Sequence, residues 1–192
     1  SCKTHTPAGL CSESARIKNG VMNPNMSPLP PGYSHGQLTF EPVFDEHSRI
    51  LILGSFPSVK SRENQFYYGH PQNRFWKLMA QLLEVPVPQS IDEKKTMLLT
   101  HGLALWDVIT SCDIKGSSDS SIKNAVPADI SRILKAANIQ TIIANGGTAF
   151  RLYRRYCEPV TGRPAALCPS TSPANAAFSL ERLSECWSKF II

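Results

Sequence analysis

Apolar runs and amphipathic stretches alternate along most of this chain, and their periods predict its elements. Arg49 to Leu53 ends in Leu51-Ile52-Leu53, a continuous apolar run that reads as a buried strand. It leads into Gly54-Ser55-Phe56-Pro57-Ser58, a turn of mostly small residues. From about Arg74 to Glu84, Phe75, Trp76, Leu78, Met79, Leu82 and Leu83 recur at helical spacing. Ser90, with Glu93 three residues on, forms a capping box for a second helix that Gly102 ends. Leu103 to Ile109 is a predicted second strand, and residues 110–123, polar and serine-rich, a loop. Pro127 to Ala137 reads as a third helix, opened by proline in its first turn. Thr141 to Ala144 is a third strand, broken by Asn145-Gly146-Gly147, after which Thr148 is placed to cap the next helix. Ala165 to Cys168 is a fourth strand, followed by Pro169-Ser170-Thr171-Ser172-Pro173 and a last helix to about Phe190.

Strands separated by helices imply an α/β fold, three layers deep (α/β/α), around a four-stranded, mainly parallel sheet. Ligands of such sheets bind beyond the carboxyl ends of the strands. The loops after Leu53, Ile109, Ala144 and Cys168 are therefore expected at one edge. Residues 1–36, rich in Pro, Ser, Asn, Gly and Thr, read as a flexible leader, and 37–192 as the folded domain.

Composition narrows the class. A chain of 192 residues suits one well-buried domain. No apolar run approaches the roughly 20 residues that span a bilayer, and the first residues lack a basic-then-apolar pattern. The six cysteines include no C-x-x-C pair, which argues against zinc or an iron–sulfur cluster. Cys112, Cys157, Cys168 and Cys186, near apolar segments, read as buried reduced thiols, so a cytoplasmic setting is expected. The net charge of +5 permits a polyanionic partner without indicating one.

The chemistry concentrates in two loops. Residues 66–76 read Phe-Tyr-Tyr-Gly-His-Pro-Gln-Asn-Arg-Phe-Trp, with flat faces for stacking a nucleobase and an amide for its edge or a water. G-x-S-x-G, P-loop and G-x-G-x-x-G patterns are all absent, so esterase, nucleotide hydrolase and dinucleotide readings fade.

Gly54-Ser55-Phe56-Pro57, the Tyr68-Gly69-His70-Pro71-Gln72-Asn73-Arg74-Phe75-Trp76 segment and Pro169-Ser170-Thr171-Ser172-Pro173 occur in an order and spacing that resemble the uracil-DNA glycosylase superfamily. Within it the chain looks most like the hypoxanthine-DNA (deoxyinosine) glycosylase branch, over roughly residues 43–188. The resemblance implies a monofunctional enzyme that flips a deaminated base out of double-stranded DNA and hydrolyses its N-glycosidic bond. No cofactor or metal is implied, and a monomer is expected. Uracil-directed relatives place Asp or Asn two residues after the first-loop glycine, where this chain has Phe56.

The resemblance makes Asn73 the catalytic residue, orienting water. Gly54, Ser55, Phe56, Pro57, Tyr68, His70 and Ser170 are the expected substrate contacts, and Ser58, Thr171, Ser172 and Asn175 the expected DNA contacts. Each has a structural rival. Asn73 stands where a helix cap belongs, Phe66 and Tyr67 compete with Tyr68 for the stacking role, and His70 equally suits a loop-locking hydrogen bond. Asn175 is also placed to cap the last helix. Asp119, within a serine-rich loop, reads as simply solvated. Three other functions remain open: uracil or thymine excision from mismatches, a catalytically silent nucleic-acid-binding module, and hydrolysis of free purine nucleosides.

Overall fold

A computed structural model of the chain describes residues 27–191. Most of the predicted leader, residues 1–26, lies outside them, as does residue 192. The strands are β1 (Ser34–Gln37), β2 (Ile50–Gly54), β3 (Leu103–Asp107), β4 (Ile109–Ile114), β5 (Lys123–Pro127), β6 (Thr141–Asn145) and β7 (Ala166–Cys168). The helices are α1 (Val59–Asn64), α2 (Phe75–Leu83), α3 (Ile91–Thr100), α4 (Ser131–Ala136), α5 (Gly147–Tyr156), α6 (Glu158–Thr161) and α7 (Leu180–Trp187).

The expected four-stranded sheet is present, in the order β3-β2-β6-β7, with every neighbouring pair parallel. Leu51, Ile52 and Leu53 of β2 are fully buried, as a strand covered on both faces requires. Helix α3 packs against β3, α5 against β6 and β7, and α2 against α7. Ser90 caps α3 as expected, its Oγ accepting from Glu93 N at 3.1 Å, while the Glu93 carboxylate reaches one residue further back, to Gln89 N, at 2.6 Å.

Four expectations are corrected. Residues 110–123 are not simply a loop: β4 runs through them and joins β1 and β5 in a second, antiparallel sheet. The polar residues of β4 masked it. Asp113 is buried there because His35 Nδ1 lies 3.0 Å from one carboxylate oxygen and Asn124 Nδ2 donates to the other at 2.8 Å. Pro127 opens no helix; it ends β5, and α4 starts only at Ser131. Thr148 does not cap α5, whose N-cap is Gly146. Residues 34–36, assigned to the leader, are part of β1.

Candidate active site

The register of the parallel sheet sets Gly54 beside Asp107 and Asn145 beside Cys168 at the carboxyl ends of the strands. Gly54 is needed there. A Cβ at this position would collide with Asp107 Oδ1 and come within 3.1 Å of the Tyr68 hydroxyl. Gly146, at φ +96°, plays the same part after β6, since a side chain there would meet Ser170 Cβ at 2.9 Å. Small residues at the rim thus let side chains from other segments close over the strand ends.

The tyrosine-rich turn and the hydroxyl-rich turn, about a hundred residues apart in sequence, are tied together directly. Arg74 N donates to Thr171 O at 3.1 Å. The Arg74 guanidinium also donates to the carbonyls of Ser172 (3.0 Å), Asn175 (3.1 Å) and Phe178. Beneath this clamp, buried Thr171 is wholly committed. Its hydroxyl donates to Asn73 Oδ1 at 2.9 Å and accepts from Asn145 Nδ2 at 3.0 Å, while its N–H donates to Asn145 Oδ1 at 3.0 Å. Asn73 Oδ1 also accepts from Phe75 N at 3.0 Å, so it caps the start of α2 from one residue before the formal N-cap. The two donors fix which end of this amide is oxygen. They occupy its lone pairs and leave the N–H groups as what Asn73 offers a ligand.

Between the turns lies a cavity of about 270 Å³. Every predicted residue from Gly54 to Ser58, with Tyr68, His70, Asn73 and Ser170 to Ser172, lines it. Asn175 does not; its amide donates to Ser170 O, and Ser179, not Asn175, caps α7. His70 Nδ1 accepts from Gln72 N at 3.1 Å, so in the neutral ring Nε2 carries the proton. Phe66 and Tyr67 are core residues, although Tyr67 also reaches the cavity. Tyr68 is half-buried, stacked on Phe75 with ring centroids 4.2 Å apart. Its backbone sits at φ +53°, a conformation costly for a bulky residue and found where a fold constrains a functional loop.

Asp107, Asn145 and Asp119 also line the cavity and were not among the predicted site residues. Asn145 stands at a strand's carboxyl end, which was signal enough to find it. Asp107 was hidden inside an apolar run, where only its polarity marked it. Asp119 corrects the expectation of a solvated carboxylate. The residue is exposed as a whole, yet its carboxylate turns inward and accepts from Ser55 Oγ at 2.9 Å.

The charge balance is uneven. Burial, and then the negative charge of Asp119, pushes the Asp107 carboxyl up to about 8, so it is mostly protonated at neutral pH. Burial also raises Asp119, against the opposing pull of the Ser55 hydroxyl and Arg151. Burial and Asp107 hold the Tyr68 phenol well above its usual range. Asp107 Oδ2 and Tyr68 Oη have no hydrogen-bond partner among the described residues. The Asn145 amide lies near enough to favour ionised Tyr68, but outside bonding geometry. Buried polar atoms left unpaired at the rim of a cavity are where a ligand's polar edge fits.

Comparisons with known proteins bear on the family of the chain. The family model described as the uracil DNA glycosylase superfamily matches residues 41–191. A Methanosarcina acetivorans protein named "Hypoxanthine DNA glycosylase" is 35% identical over 147 residues, covering 76% of this chain and 92% of that one. A Methanosarcina barkeri protein of the same name is 38% identical over 111 residues, covering 56% of this chain and 69% of its own. A solution NMR structure from Methanosarcina acetivorans, described as a candidate uracil DNA glycosylase, superposes with a TM-score of 0.69 at 34% identity, over 79% of this chain and 94% of that one. With the family model matching residues 41–191, the chain belongs to the uracil DNA glycosylase superfamily.

Proposed function

We propose that this protein is a DNA glycosylase that hydrolyses the N-glycosidic bond of deoxyinosine after flipping the nucleotide into the cavity. The observation that carries the reading is the convergence of the Tyr68–Asn73 turn and the Ser170–Ser172 turn over the sheet rim. The two archaeal relatives named for hypoxanthine support the base assignment. Phe56, standing where uracil-directed relatives carry Asp or Asn, turns the reading away from uracil.

In this reading Tyr68, backed by Phe75, stacks on the flipped purine. Neutral Asp107 offers a donor and an acceptor side by side, which pair with the lactam N1–H and O6 of hypoxanthine. Asn73 Nδ2 donates to the departing base, where negative charge grows as the bond breaks; such a donor contributes about 2.7–4 kcal/mol. The orientation of Asn73 is not its own: Thr171 and the Phe75 N–H set it. His70 Nε2–H and the Ser58, Ser170 and Ser172 hydroxyls are donors for sugar and phosphate oxygens. Water is the nucleophile, because no lysine among the described residues lines the cavity to form a Schiff base.

The same reading has the enzyme act as a monomer on double-stranded DNA in the cytoplasm. Free Cys112, Cys157 and Cys168, all buried, suit a reducing compartment. No helix among the described residues is long and apolar enough to cross a membrane.

The test is incubation with a duplex carrying one deoxyinosine, followed by alkali cleavage of abasic product, beside uracil and xanthine duplexes and free inosine. Strand cleavage at deoxyinosine is expected. Release from uracil duplexes alone, or from free inosine in preference to DNA, overturns the assignment. Binding to an abasic-site analogue with no release from any duplex would make the protein a silent binder.

A further inference from the structure

The first loop lacks a carboxylate or carboxamide to hold water, and the fold supplies one from elsewhere. A water poised for attack needs an acceptor that can take its proton. The cavity's neutral acceptors are largely spent. Asn73 Oδ1 takes two donors, Asn145 Oδ1 takes the Thr171 N–H, and His70 Nδ1 takes the Gln72 N–H. Two carboxyl groups remain. Asp107 is buried deepest and largely neutral at pH 7, so it is a poor proton acceptor there.

Asp119 differs in position and in partners. It arrives on the turn after β4, which is pinned over the start of α1. Val59 N donates to Ser117 Oγ at 2.9 Å, and Arg62 Nη2 to Gly116 O at 3.1 Å. One carboxylate oxygen is held by Ser55 Oγ at 2.9 Å, which sets the carboxylate beside the residue preceding Phe56. Burial raises this carboxyl, while the Ser55 hydroxyl and Arg151 of α5 pull the other way, toward the anion. The arrangement returns an anion to the first loop from 64 residues downstream.

Resting on the deoxyinosine reading, we propose that Asp119 is the catalytic base: held by Ser55, its carboxylate binds the attacking water and takes its proton. In the step, the C1′–N9 bond breaks with its electron pair leaving on the purine. The water oxygen bonds to C1′, one water proton passes to Asp119, and the purine anion takes up a proton from Asp107 or solvent. The two carboxyl groups thus divide the work, one ionised and one neutral, as differing environments allow.

The experiment is single-turnover release from a deoxyinosine duplex across pH 5–9 by wild type, Asp119→Asn and Ser55→Ala. Asp119→Asn keeps an acceptor for the Ser55 hydroxyl, so the turn stays closed. Its release is expected to fall about 10²–10⁴-fold, with a folded circular dichroism spectrum and unchanged affinity for an abasic-analogue duplex. The wild-type rate rises with pH as Asp119 ionises. That limb disappears in Asp119→Asn and moves to higher pH in Ser55→Ala, which loses the bond favouring the anion. The groups facing Asp119 are Ser55, Asp107 of β3, Tyr68, Cys112 of β4 and Arg151 of α5. Of these Asp107 titrates nearest neutrality and accounts for any falling limb near pH 8. Wild-type release by Asp119→Asn with the limb intact overturns the inference and leaves the functional reading standing. If wild type itself releases no base from deoxyinosine DNA, that reading falls and this inference with it.

Discussion

The two walls of the cavity are built on opposite principles. On one, Asn73, Thr171 and Asn145 satisfy one another, and Arg74 fastens the turn that carries Thr171. On the other, Asp107 Oδ2 and Tyr68 Oη are buried without partners among the described residues. A satisfied wall holds geometry; an unsatisfied one costs stability and is ready for a ligand. Positioning and recognition are thereby assigned to different side chains.

Substitutions can test that division. Among substitutions in the two walls, the largest effect is expected from Asn73→Ala, which removes the donor the satisfied wall aims. Single-turnover release should fall by about 2.7–4 kcal/mol in barrier, on the order of 10²–10³-fold, while circular dichroism shows a folded protein. Wild-type-like release would remove Asn73 from the mechanism.

On the unsatisfied wall, Asp107→Asn should stabilise the protein in alkaline solution. The folded-state value lies above the unfolded one, so folded protein keeps a proton that unfolded chain loses. Between about pH 4 and 8 the wild type therefore loses stability as pH rises, by up to about 1.4 kcal/mol per unit. The variant's melting temperature should pull ahead across that window and level off above it. The same variant should lose activity on deoxyinosine, and melting curves that stay parallel at every pH would contradict the burial argument.

Thr171→Val tests whether the satisfied wall works as a unit. It strands Asn145 Nδ2 and frees Asn73 Oδ1, at about 1–3 kcal/mol of stability. Release should slow with little change in affinity for an abasic-analogue duplex, because only the aim of Asn73 is lost. The smallest effect is expected from Tyr68→Phe. Deleting an unpaired buried hydroxyl should leave stability equal or slightly higher, and release should change only a few-fold if the ring face is what matters. A large loss would show that the hydroxyl finds its partner in the substrate.

Much of this was legible before any coordinates. The run Leu51-Ile52-Leu53 and the helical spacing from Phe75 to Leu83 fixed the central strand and α2, because burial on both faces or on one leaves a direct imprint on residue order. Both turns of the cavity could be picked out by composition. The antiparallel sheet could not, since Asp113 is tolerable in β4 only through His35, 78 residues away in sequence, and Asn124.

What the sequence determined alone was periodicity and turn chemistry: where strands end, which loops carry polar groups, and the family they resemble. Tertiary structure alone decided which of those groups meet. Asp107 became a neutral acid because strand register set it beside Gly54 and burial withheld water, and Asp119 left solvent because Ser55 offered it a donor. Charge state and hydrogen-bond partnership depend on neighbours brought together by folding, and no local pattern along a chain encodes them.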